Sequence, residues 1–133
     1  MARLKPLCRA SPGSGTGTDE LYAESDPVLT TQADWDLGKV DRPRVTRSPD
    51  GWVMIFQGGH IEMRGLALSN DGFHWQTYPS NPIFTKESSP PPNAKTWDTN
   101  LLYQDGVYFY FMELGSLSET NLYLATHQGS LRK

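Results

Sequence analysis

Asp50-Gly51-Trp52-Val53-Met54-Ile55-Phe56 and Asp105-Gly106-Val107-Tyr108-Phe109-Tyr110-Phe111 decide how this chain folds. Each places an Asp-Gly dipeptide before a continuous run of aromatic, β-branched and aliphatic residues. Asp-Gly ahead of such a run is a strong hairpin signal, because glycine tolerates positive φ. The runs lack period-two alternation, which suits strands covered on both faces, as between stacked sheets. Pro49, Pro79, Pro82 and the Pro90-Pro91-Pro92 run break any helical reading. No segment carries a helical apolar period.

Outward from these two stretches the chain repeats itself. The first unit opens Asp26-Pro27-Val28-Leu29-Thr30, passes Trp35-Asp36, and closes on Arg64-Gly65-Leu66-Ala67-Leu68-Ser69. The second opens Asn81-Pro82-Ile83-Phe84-Thr85, passes Trp97-Asp98, and closes on Asn121-Leu122-Tyr123-Leu124-Ala125-Thr126. Pro27 precedes Pro82 by the same offset that separates Asp50 from Asp105, and the offset from Ala67 to Ala125 is only slightly longer. Ala10-Ser11 stands as far before Leu68-Ser69 as Leu68-Ser69 stands before Thr126-His127, so the chain reads as starting and stopping at one phase of the repeat. An inner strand is expected near Pro43 to Arg47 and near Thr99 to Tyr103. The apolar run is the second strand, and the third ends at Leu68 or Thr126. In the first unit, Phe73 to Tyr78 makes a fourth.

Units of four antiparallel strands at a period of ~40–60 residues are how propeller blades read. The expected fold is therefore all-β, about two four-stranded antiparallel blades of a β-propeller. Residues 26–80 form one blade and 81–133 a second, cut short at its C-terminus. Residues 1–25 are the end of a preceding blade or a flexible lead-in, with Ser, Gly and Thr crowding positions 11–18. Two blades leave two large apolar faces uncovered. Either copies of the chain associate through those faces or the chain is a portion of a longer protein, and the portion is the favoured reading.

The pattern Asn/Asp-Pro-Val/Ile-Leu/Phe-Thr, Trp-Asp, Asp-Gly plus aromatic run, then Leu66-Ala67-Leu68-Ser69-Asn70-Asp71-Gly72-Phe73-His74-Trp75, resembles the five-bladed propellers of the arabinanase, levansucrase and invertase superfamily. Glycoside hydrolase families 43, 32 and 130 belong there. The resemblance spans about residues 26 to 127, and its motifs mark the propeller framework rather than a substrate. It implies a carbohydrate partner and hydrolysis of O-glycosidic bonds by carboxylates facing a central pocket. Inner strands of that superfamily often start Asp-Pro-x-Val. Here Asp41-Arg42-Pro43-Arg44-Val45 is one residue longer, and Asp98-Thr99-Asn100-Leu101 keeps the Asp but loses the Pro. The sialidase propeller ranks second: its Asp-box is one residue longer than Ser69 to Trp75 and carries a Thr absent here.

Glycosidic cleavage uses two carboxyl groups, one protonating the leaving oxygen and one activating water or attacking directly. On the resemblance, Asp41 is the general base, Asp98 orients the sugar or tunes a partner acid, and Glu113 is the candidate acid, with Gln57 as its non-ionising counterpart. Trp35 and Trp97 are candidates to stack on a sugar face, and Arg42 and His60 to line the pocket. The plainer reading has Asp41 and Asp98 capping turns or pairing with Arg42, Arg44 and Lys95. It makes Glu113 a solvated strand end, both Trp residues inter-blade packing and His60 a surface loop residue. Trp52 and Trp75 read as core; Asp36, Asp50, Asp71 and Asp105 read as turn residues.

Composition excludes other classes. The 133 residues are 37% hydrophobic, 20% charged and 11% aromatic, enough to bury a core. A net charge of −3 supplies no basic footprint, so no nucleic-acid partner is expected. The three His are scattered and Cys8 is the one cysteine, so no metal or other cofactor and no internal disulfide is expected. No apolar run reaches the ~20 residues of a membrane span, and the N-terminal stretch lacks a secretory apolar core. A cytoplasmic location is the favoured expectation. The binding alternative is a non-catalytic carbohydrate-binding or interaction module. The chain alone is expected to hydrolyse nothing detectable.

Overall fold

The computed structural model describes residues 26–60, 63–88 and 94–132. The lead-in 1–25, with Cys8, and the Pro90-Pro91-Pro92 run lie outside the described residues. Seven strands follow in order: β1 (Asp41–Ser48), β2 (Gly51–Gln57), β3 (Arg64–Ser69), β4 (Trp75–Thr77), β5 (Lys95–Gln104), β6 (Val107–Gly115) and β7 (Thr120–Gln128). They form two antiparallel sheets, β1-β2-β3-β4 and β5-β6-β7. The chain is all-β, and the described residues hold no α-helix, only a 3-10 turn at Lys86–Ser88. The strands overlap the expected ones, except that β5 opens at Lys95 and so takes Trp97 and Asp98 inside it.

The two hairpins close differently. Asp105 and Gly106 both take positive φ, 51° and 86°, as a two-residue type I′ turn requires. In the first sheet the turn is Pro49-Asp50, with Ser48 paired to Gly51. Proline locks φ at a negative value and cannot occupy a type I′ turn, so Ser48-Pro49-Asp50-Gly51 adopts the type I sequence pattern instead. Gly51 follows at φ 98°, where an added Cβ would sit 2.5 Å from the Ser69 carbonyl oxygen. Only glycine fits there.

This single-residue difference resets the repeat. Ser48 pairs with Gly51 and Gln104 with Val107; Arg44 pairs with Ile55 and Asn100 with Phe111. Along the inner and second strands, the step between equivalent positions is thus one longer than matching the Asp-Gly pairs implies. In the third strands the step lengthens by two more, since Ile55 pairs with Leu66 and Phe111 with Leu124. Both inner strands bulge near their starts, between Asp41 and Arg44 and, one residue earlier in register, between Thr96 and Thr99. Arg42, inside the first bulge, has φ 49°, uncommon for a non-glycine residue.

With that register the sheets stack front to back. Val53, Ile55, Leu66 and Leu68 of the first sheet share one core with Leu101, Tyr108, Tyr110, Met112 and Leu114 of the second. Phe84 and Ala94, from the connection between the sheets, are inserted in the same layer. The connection also extends the first sheet: Arg64 N–H donates to the Phe84 carbonyl and Ile83 N–H to the Arg64 carbonyl. On its other face, the first sheet presents Met54, Phe56 and Ala67, covered by Leu29, Trp35 and Val40, with Trp75 of β4 packed beside them. In register, Met54 and Phe56 are the equivalents of Tyr110 and Met112. Each sheet therefore receives its own preceding segment on the same face.

Asp50 ties the assembly together. Its buried carboxylate accepts hydrogen bonds from Tyr108 Oη (2.6 Å), the Leu131 N–H (2.8 Å) and Ser130 Oγ, while Arg132 Nε donates to its backbone carbonyl (2.8 Å). Burial raises its affinity for a proton, but these donors outweigh burial and hold the carboxyl below its ordinary value. Burial and the Asp50 bond push the Tyr108 hydroxyl up. The turn reading of Asp50 holds, and a clasp between the sheets is added to it.

Candidate functional site

The bulges at the starts of β1 and β5 bring the polar candidates of the two sheets together. Arg44 Nη2 lies 3.2 Å from Asp98 Oδ2, an ion pair between β1 and β5. Asp98 Oδ1 also accepts the Thr99 N–H at 2.8 Å, which fixes the carboxylate within its bulge. Arg42 Nη1 donates to the Trp97 carbonyl, a second tie between the same two strands. Asp98 thus pairs with Arg44 and not with Arg42 or Lys95.

Beside this pair is a cavity of about 320 Å3 whose lining includes Arg44, Asp98, Asn100 and Glu113, with Phe111 and Leu122 as apolar rim. Glu113 reaches it because β6 alternates: Tyr108, Tyr110, Met112 and Leu114 are buried in the core, while Glu113 is half-buried on the other face. Two carboxylates, a guanidinium and a carboxamide then surround one small space. That set accepts and donates several hydrogen bonds at once, and its apolar rim can lie against a ring.

The other candidates lie elsewhere. Asp41 is exposed, pairs in register with Gln57, and is not part of that cavity. At the register step of the inner strands, Asp41 corresponds to Trp97 and Arg42 to Asp98, so the two Asp residues do not occupy matching places. Trp35 lies before β1, its ring 5.8 Å from that of Phe56. Added Cβ atoms on Gly58 or Gly65 would fall 2.6 Å from its indole, so both glycines make room for it. This is inter-layer packing. Trp97 sits within β5, half-buried, with Lys95 Nζ 5.6 Å from its ring centroid. Its buried Nε1 has no hydrogen-bond partner among the described residues. His60 is exposed in the β2–β3 loop, its carbonyl accepting the Met63 N–H.

Of the aromatic core candidates, Trp75 packs beside Met54 and Phe56, and Trp52 is half-buried under the Arg47 guanidinium at 4.4 Å. Asp36 is buried and accepts the Gly38 N–H at 2.8 Å, as a turn residue should. Asp71 accepts the Phe73 and His74 N–H groups at 2.8 Å each and the His74 ring at 2.6 Å. The His74 ring leads the donors that hold the Asp71 carboxyl well below its usual range. Among the described residues, no group of three or more His, Cys, Asp or Glu could hold a metal.

Arg44 and Asn100 are the members the sequence reading did not put in the site. They are each other's equivalents in register, so aligning the hairpins by turn type rather than by Asp-Gly would have matched them. A second cavity of about 260 Å3 lies between the sheets, lined by Tyr108, Tyr110, His127 and Leu131 among others, and holds no candidate residue. Comparison with family models, curated proteins and solved structures finds no match to this chain.

Proposed function

We propose that this chain forms two blades of a propeller of the glycoside hydrolase type and binds carbohydrate in the Arg44–Asp98–Glu113 cavity. The observation that carries the reading is that carboxylates from adjacent strands, Asp98 on β5 and Glu113 on β6, line one cavity with Arg44 of the other sheet. The front-to-back stacking supports the propeller, because that geometry repeats one blade after another. The cavity reaches the bulges near the starts of β1 and β5, and the superfamily resemblance implies a sugar near that end of the inner strands. In this reading Asp98 and Glu113 are the carboxylate pair, and Asp41 is released from the general-base role.

A non-catalytic binding module is the second reading. It is favoured by the Arg44–Asp98 ion pair, which engages one carboxylate with a fixed cation instead of a reacting group. Titration of the chain with arabino-, xylo-, fructo- and manno-oligosaccharides, followed by NMR shifts of β5 and β6 amides, tests both. Expected is saturable binding that is lost in Asp98→Asn and Glu113→Gln. Absence of shifts with every sugar overturns the site. Turnover of an aryl-glycoside panel that Glu113→Gln abolishes selects hydrolysis, and binding without turnover selects the module.

A further inference from the structure

We propose that the uncovered face of the second sheet seats a second copy of this chain, joined head to tail through the outer face of the copy's first sheet. The register equivalences between the two sheets carry the argument. Ile55 and Leu66 are 0% and 5% exposed, because the second sheet covers them; their equivalents Phe111 and Leu124 are 40% and 52% exposed. Leu102 and Leu122, also exposed, extend the same apolar surface; Phe111 and Leu122 also rim the Arg44–Asp98–Glu113 cavity, so a seated copy walls that cavity on its apolar side. The opposite end of the protein shows the complementary defect. Leu101 is 8% exposed between the sheets, while its equivalent Val45, on the first sheet, is 47% exposed, with Val28 and Leu37 also exposed on the preceding segment.

One protomer therefore carries both halves of an interface it already makes internally. The second sheet displays the surface on which a sheet sits, and the first sheet displays the surface that sits. The intercalating layer is in place too: Leu29 and Trp35 lie on Met54 and Phe56 where Phe84 and Ala94 lie against the second sheet. Because the two surfaces are different, the contact is heterologous and propagates until a ring closes or a filament forms. A self-matching dimer of either face would set equivalent faces against each other, which the internal stacking does not do.

Sedimentation of the purified chain over a dilution series tests this, with Phe111→Asp and Val45→Asp each blocking one end. The wild-type chain is expected at two or more times its 14.9 kDa mass when concentrated, falling toward 14.9 kDa on dilution. Each variant alone is expected to remain monomeric. Their equimolar mixture should recover a dimer that grows no further, since each variant keeps one intact end. A wild-type chain that stays monomeric overturns the proposal, and so does a mixture of variants that forms no dimer. Circular dichroism establishes that the variants fold; Leu122→Asp, at a site 79% exposed, replaces Phe111→Asp if that variant does not.

Discussion

Leu66 and Leu124 hold the same place in two similar sheets, one sealed and the other half in solvent. The hairpins that carry them share direction, a bulge near the start of the inner strand and apolar character. What differs is the neighbour. The first sheet has a second sheet on one face and Trp35, Leu29 and Val40 on the other. The second sheet has the first on one face and, among the described residues, no sheet on the other. Local sequence specifies a strand, but burial belongs to the stack.

The two leucines should differ most in what their loss costs. Leu66→Ala should cost about 2–5 kcal/mol by urea denaturation, because it deletes methyl groups from a filled core. Leu124→Ala should cost about 1 kcal/mol or less in the monomer, since half its side chain is already wet. Equal losses would mean that the second sheet is covered after all.

The turns offer a sharper contrast. Gly51→Ala should cost about 2–3 kcal/mol, as it adds a collision with the Ser69 carbonyl to the strain of an L-residue at positive φ. Gly106→Ala should cost about 1 kcal/mol, the strain alone, at φ 86° with nothing within 4 Å of the new Cβ. Thermal melts of the two variants should differ accordingly.

Asp50 and Asp105 begin matching Asp-Gly dipeptides yet should differ in acid. The folded-state pKa of Asp50 is depressed below 3.8, so its contribution is complete above that pH and is lost as pH falls through the folded value. Asp50→Asn should cost about 2 kcal/mol at neutral pH, from weakened bonds to Tyr108, Ser130 and Leu131, and should flatten the acid limb of stability against pH. Asp105→Asn, exposed at its turn, should change stability by less than about 0.5 kcal/mol. The smallest effect is expected from Arg44→Ala, about 0.5 kcal/mol or less, because the Arg44–Asp98 pair is solvent-exposed. Saccharide binding should weaken in that variant although stability hardly moves.

Much of this architecture was legible beforehand. Prolines and Asp-Gly pairs bounded the strands, and the unbroken apolar run of β2 marked a strand covered on both faces; the similar run of β6 did not, since Phe111 on its outer face is 40% exposed. The one-residue register shift was not, because it depends on Pro49 choosing a turn type, and a repeat matched by identity passes over that choice. Asp98 and Glu113 were legible as candidate site residues; their shared cavity was not, because Asp98 lies in a bulge that departs from strand periodicity. Trp35-Asp36 and Trp97-Asp98 match in letters, but one precedes β1 and the other lies inside β5. The clasp on Asp50 was invisible for a different reason: the partners of its carboxylate stand up to 81 positions away.

That separation bears on the order of assembly. The pairings within each sheet are hairpins between neighbours in the chain, cheap to close and quick to form. Joining Asp50 to Ser130 and Leu131 closes a loop of 80 residues at an entropic cost of about 4 kcal/mol, recovered only once both sheets already hold those ends together. The clasp should therefore be the last contact made in folding. Once made, it couples the fate of the two sheets, so that neither can open far without pulling on the other.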